Sequence, residues 1–224
     1  MNFQQSLKIA GRAARANLRP GMLLWSLLLL FLLVYLGSAG FRGLLQQVAD
    51  FKSRVGYPFS FMVYALFGAL LPELLRIVFF QRCRCTVENL RNFLFGFLIW
   101  GLCGILGDFF YRCQTLWFGP GNDWRTLMTK VAVDQLVYSP LVNSTAFSIF
   151  TWRAAKFGCS VWREILSVKF FLQKIFPLLV ACWCIWIPGV TLVYFMPVPL
   201  QLPVASLILC FYVLVFTFLH KQEA

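Results

Sequence analysis

Asp134 and Gln135 stand side by side in the stretch KVAVDQLVYSP, at the head of an otherwise apolar run. Lys130 lies four residues before the aspartate and Pro140 six after it. A carboxylate beside a carboxamide offers hydrogen-bond acceptors, donors and one negative charge. Three charged pairs recur at helical spacing: Lys130 with Asp134, Asp108 with Arg112, and Glu73 with Arg76. At three or four residues apart, each pair can close an ion pair on one helix face. On a helical wheel Asp134, Tyr138, Thr145 and Ser148 fall within about a quarter turn, with Pro140 perturbing the angle. Such a face suits a water-filled path between helices, and it equally suits polar groups that bond one helix to the next.

Other chemistries lack their residues. The only histidine is His220, so neither a catalytic triad nor a helical histidine pair is available. The eight cysteines include Cys83 with Cys85 and Cys182 with Cys184, each pair separated by a single residue and without histidine partners. Zinc ligands are normally spaced more widely, and thiols in apolar helices behave as small hydrophobes. Gly101, Gly104 and Gly107 do not have the spacing of a dinucleotide loop, and no strand precedes them. Small residues at helical spacing instead let two membrane helices approach closely. We therefore expect no enzyme, no cofactor and no metal.

The elements that must position these residues follow from composition. Of 224 residues, 60% are hydrophobic and 12% charged, more apolar surface than a soluble domain of this size can hide. Six apolar runs, 22–41, 57–80, 93–111, 131–150, 170–195 and 204–219, approach or exceed the roughly twenty residues that cross a bilayer as a helix. The fold class expected is all-α: a polytopic transmembrane bundle of about six helices preceded by an amphipathic helix. The domains are a basic N-terminal segment at 1–21, an additional membrane helix at 22–41 and a bundle at 57–219.

The net charge of +12 lies between the spans and speaks for a bilayer rather than nucleic acid. With the N-terminus inside, twelve basic residues fall on inner segments: Lys8, Arg12, Arg15, Arg19, Arg82, Arg84, Arg91, Arg153, Lys156, Arg163, Lys169 and Lys221. Six fall outside: Arg42, Lys52, Arg54, Arg112, Arg125 and Lys130. The excess places both termini inside. Lys8, Arg12, Arg15 and Arg19 share one face of a helix, which suits anionic lipid headgroups. That segment reads as an uncleaved anchor; an organelle presequence or a secretory signal would share its features. Residues 162–174 read as an interfacial helix. Pro188 should bend or break the fifth span near Thr191, because proline frees a carbonyl inside a helix.

Lys130, Asp134, Gln135 and Pro140 together form a pattern that resembles the hallmark of the 22-kDa peroxisomal membrane protein family, to which the mitochondrial inner-membrane protein Mpv-seventeen belongs. Upstream, Arg91, Gly101, Gly104, Phe110 and Tyr111 match that family's arginine, glycine-rich span and aromatic pair, with Phe110 where tryptophan is usual. Asp108 and Ile105 stand where histidine and proline are common. Downstream, Pro188, Phe195 and Pro199 match, while Ile187, Thr191 and Tyr194 replace tryptophan, glutamine and asparagine.

The resemblance covers residues 57–219. It implies a pore or transport path for small solutes, tied to organelle metabolite balance. The membrane would be the mitochondrial inner or the peroxisomal one; a bacterial cytoplasmic membrane fits the residues alone. The partners are then the lipid bilayer, anionic headgroups and small solutes, and a homo-oligomer is compatible. The rival reading is a non-transporting membrane scaffold whose buried polar residues only fix helix packing, and a lipid-modifying enzyme is a distant third.

Overall fold

The computed structural model describes residues 18–121 and 123–223, together with Gly11 and Arg15; the side chains of Pro20 and of 215–223 are excepted. Most of the basic segment expected at 1–21 therefore lies outside the described residues. Eight helices follow: α1 Leu18–Gly37, α2 Ala39–Val55, α3 Tyr57–Phe80, α4 Val87–Phe118, α5 124–154, α6 Val161–Ile165, α7 Val168–Phe195 and α8 Val198–Glu223. Among the described residues there is no strand.

The boundaries have local causes. Ser38 adopts an extended backbone and its hydroxyl accepts from the Phe41 amide at 3.2 Å, starting α2. The Arg42 guanidinium turns back and donates to the Tyr35 and Leu36 carbonyls, at 3.0 and 2.7 Å, closing the end of α1. The chain bends by 102° there. Gly56 ends α2 at φ +72°, which favours glycine. Thr86 and Asn89 form a reciprocal cap at the head of α4, and the Asp123 carboxylate caps α5 through the Arg125 and Thr126 amides, both at 3.1 Å.

The expectation of six spans is not confirmed. Three helices, α3, α4 and α7, are long and apolar enough to cross a membrane, or four if the bent pair α1–α2 is one span. The run at 22–41 is not one helix, because Ser38 breaks it. The run at 131–150 is helical, but Asp134, Gln135, Ser139 and Asn143 make α5 too polar to qualify. In α8 the apolar stretch whose side chains are described is Val198–Leu214.

Side-chain contacts fix the directions. Lys52, just before α3, meets Asp108 late in α4, while Glu73 late in α3 meets Asn89 early in α4. These helices are antiparallel. Gln114 late in α4 reaches the Lys130 carbonyl early in α5, and Arg153 late in α5 reaches Asn92 early in α4. The bundle is thus up-and-down, and one end gathers the starts of α3, α5 and α8 with the finishes of α4 and α7. At that end α2 packs on α8 and α3. Helix α8 is the hub: it packs against α1, α2, α3, α4 and α7, and Leu202, Ala205 and Ile208 are fully buried.

Helix α4 has two distinct faces. Gly96, Gly101, Gly104 and Gly107 are buried. A Cβ at Gly104 would collide with the Ser60 carbonyl, and one at Gly101 with the Phe61 ring. On the other face Leu90, Leu94, Leu98, Leu102, Leu106 and Phe109 are each at least 50% exposed. So large an uncovered apolar stripe on a helix long enough to span fits contact with lipid. Since the Ser60 carbonyl is backbone and cannot swing aside, Gly104→Ala should cost about 1–3 kcal/mol. Thermal unfolding in detergent measures this, and an unchanged midpoint would contradict the close approach.

Three stretches widen by one residue into a π-helical turn: Leu66–Leu70, Asp134–Tyr138 and Phe171–Ile175. Each is followed two residues later by a proline, Pro72, Pro140 or Pro177. A proline lacks the amide hydrogen and its ring crowds the carbonyl four residues back. In all three cases the residue before the proline donates one residue further back: Leu71 to Leu66, Ser139 to Asp134, Phe176 to Phe171. The widened turn accommodates the ring without breaking the helix. Pro188 differs. Helix Phe176–Phe195 runs through it, so no break occurs near Thr191, whose hydroxyl donates to the Ile187 carbonyl at 2.7 Å.

Candidate functional site

Asp134 sits in the π-helical turn of α5 with 3% of its surface exposed. Its Oδ2 accepts from the Tyr194 hydroxyl of α7 at 2.7 Å, and its Oδ1 accepts from Gln135 Nε2 at 2.7 Å. Gln114 of α4 donates through Nε2 to the Tyr194 oxygen at 2.9 Å and to the Lys130 carbonyl at 3.0 Å. Trp183 of α7 donates to the Gln135 carbonyl at 2.8 Å. One buried carboxylate thereby ties α4, α5 and α7 together. The Oε1 atoms of Gln114 and Gln135 are buried without partners.

Below this layer lies a cavity of about 310 Å³. Asp134, Gln135 and Tyr138 line it, as do Ser139 and Asn143, where Asn143 Nδ2 donates to Ser139 Oγ at 2.9 Å. The rest of the wall is mainly apolar and aromatic, including Tyr64, Trp100, Tyr111 and Trp186. Trp100 and Cys103 lie near the middle of α4, and Cys182 lies near the middle of α7. The cavity thus sits at mid-depth of the candidate spans.

The expected polar face departs from this geometry after Tyr138. Thr145 is exposed and Ser148 lies off the cavity wall, so neither joins Asp134. The π-helical turn is the reason: its extra residue advances the following helix by about 100°. The face therefore continues one position later, through Ser139, Asn143 and Ala146.

The ion pair expected between Lys130 and Asp134 does not form among the described residues. Lys130 is buried, and both Asp134 oxygens are occupied by neutral donors. The Asp108–Arg112 pair does form, at 3.4 Å, as the outer contact of a larger cluster. Lys52 Nζ donates to Asp108 Oδ1 at 2.6 Å, and the Ser60 hydroxyl donates to Oδ2 at 2.9 Å. Arg112 also lies over the Tyr57 ring, 5.2 Å from its centre. This cluster joins α2, α3 and α4.

The Glu73–Arg76 pair forms at 3.4 Å near the opposite end of the bundle, where Asn89 also donates to Glu73 at 2.8 Å. Thr191 is elsewhere: it borders a second cavity between α1 and α7, beside Trp25, Leu28, Leu127 and Pro188. No group of three or more metal-ligating side chains occurs among the described residues.

No protein-family profile, curated protein or solved structure matches the chain. The site therefore rests on its own geometry.

Several of its members are absent from the sequence expectation. Lys52 falls between the first two apolar runs, Ser60 in an apolar run, and Gln114 just beyond one. Ser139 and Asn143 are hidden by the shifted register. Tyr194 entered only as a departure from the family pattern, yet it is the partner of the carboxylate.

Proposed function

We propose that this integral membrane protein forms or gates a path for small solutes, and that the cavity beside Asp134 is where the solute rests. The observation carrying this reading is the cavity itself, a space of about 310 Å³ at mid-depth of the spans, with Asp134, Gln135, Ser139 and Asn143 of α5 among its lining residues. Ionisable residues at that depth face cavities or partners, and sites of membrane carriers gather there. Toward the end where α4 finishes, the cavity is roofed by the Asp134–Tyr194–Gln114 layer, and near that end α2 is fastened by Lys52 to Asp108. The family resemblance agrees with solute passage across an organelle membrane.

A scaffold reading keeps one specific support. Both Asp134 oxygens already bind side chains that join helices, as packing alone would require. Purified protein in lipid vesicles separates the two. Release of a size-graded series of uncharged solutes should exceed that from protein-free vesicles for the small members and vanish for the large ones. Release equal to protein-free vesicles throughout would leave the scaffold.

A further inference from the structure

We propose that the cavity beside Asp134 takes a small organic ammonium ion, a primary amine in its charged form carrying a flat apolar body. This deepens the reading of the cavity as the resting place of a solute and depends on it.

The first ground is a buried charge without a cation. The ion pairs among the described residues engage Asp108, Glu73 and Glu88, and none engages Asp134. Its two hydrogen-bond donors, Tyr194 and Gln135, are neutral. A carboxylate held this way leaves its charge uncompensated, and a cation entering the cavity would neutralise it.

The second ground is Gln135. Only its Nε2 can donate to the carboxylate, so the amide orientation follows from chemistry and Oε1 is left as a pure acceptor. That oxygen is buried and unpartnered. It lies behind the cavity surface, so an N–H donor in the cavity meets it only once the Gln135 side chain turns toward that space.

The third is the wall. Tyr64, Trp100, Tyr138 and Trp186 line the space, and aromatic rings attract cations once both are withdrawn from water. The volume of about 310 Å³ accommodates one ring with a short chain. An anion would meet the Asp134 charge. A neutral alcohol would leave that charge alone.

The test is equilibrium binding to the purified full chain in nonionic detergent, followed by tryptophan fluorescence or calorimetry at neutral pH. The probes are 2-phenylethylammonium, its neutral isostere 2-phenylethanol, and the anion 3-phenylpropionate. We expect the ammonium to bind at least about tenfold more tightly than the alcohol, and the anion not to bind. Asp134→Asn should abolish the preference, bringing the ammonium down to the affinity that the alcohol shows for the same variant. Equal affinities for ammonium and alcohol in the unmodified protein would overturn the proposal. So would absence of binding, or a preference that survives Asp134→Asn. The unmodified protein alone decides the first two, so a variant that fails to fold does not obscure the answer. Ammonium binding without vesicle flux would refute the path and leave this site standing; flux of neutral solutes without an ammonium preference would do the reverse.

Discussion

Asp108→Ala should destabilise the protein by roughly 3–5 kcal/mol, the cost of stripping one partner from a buried ion pair. Asp108 is 1% exposed and its carboxylate holds Lys52, Ser60 and Arg112 at once. Without it, Lys52, itself 3% exposed, keeps an ammonium among packed helices with nothing to oppose the charge. The converse change is milder, because in Lys52→Met the carboxylate retains Ser60 and can draw in the half-exposed Arg112. Removing both charges together, in Lys52→Met with Asp108→Leu, should recover most of the loss, since a buried pair often stabilises little beyond an apolar filling of similar volume. Equilibrium unfolding in mixed micelles measures all three variants. A loss below about 1 kcal/mol for Asp108→Ala would show that α2 is not fastened through this pair.

How much of this was readable in the sequence depends on the range of the interaction. The apolar runs announced helices, and the glycines of α4 announced a close approach, because both are properties of one segment. Asp134, Gln135 and Tyr138 were placed together because they lie within one turn or so. The next residues were misplaced for a definite reason. A wheel drawn at 3.6 residues per turn cannot contain a π-helical turn, and one extra residue turns Thr145 outward and Asn143 inward. The local signal was present in the proline two residues past each widened turn.

Lys52 shows a different failure. Arg42, Asp50, Lys52 and Arg54 set the stretch between the first two apolar runs apart as polar. Yet Phe41, Leu45, Ala49 and Lys52 recur at helical spacing, and that stripe is the face α2 turns to the bundle. A lysine within an otherwise apolar stripe was the sign of a buried acid elsewhere. Which acid, 56 residues away, one sequence does not say. Gln114 and Tyr194 are further apart still, and their meeting depends on three helices packing.

Asp134 yields the second large effect, and two substitutions there should behave very differently. Asp134→Ala deprives the Tyr194 hydroxyl and Gln135 Nε2 of their acceptor and enlarges the cavity. Each buried group left unpaired costs about 1–3 kcal/mol, so the loss should reach roughly 2–5 kcal/mol. Asp134→Asn, in contrast, can keep both contacts. Its remaining oxygen accepts from Tyr194, and its new amide donates to Gln135 once that side chain turns over. The Gln135 Oε1 that now lacks a partner then gains one. Asp134→Asn should therefore fall within about 1 kcal/mol of the unmodified protein, the range of a neutral hydrogen-bond exchange. Tyr194→Phe should cost about 1–3 kcal/mol and, combined with Asp134→Ala, add much less than the sum, because the two groups share one bond. Unfolding in mixed micelles supplies the whole cycle. Additive losses would mean that the tyrosine and the carboxylate do not hold each other, and a tolerated alanine would remove Asp134 from the framework that joins α5 to α7.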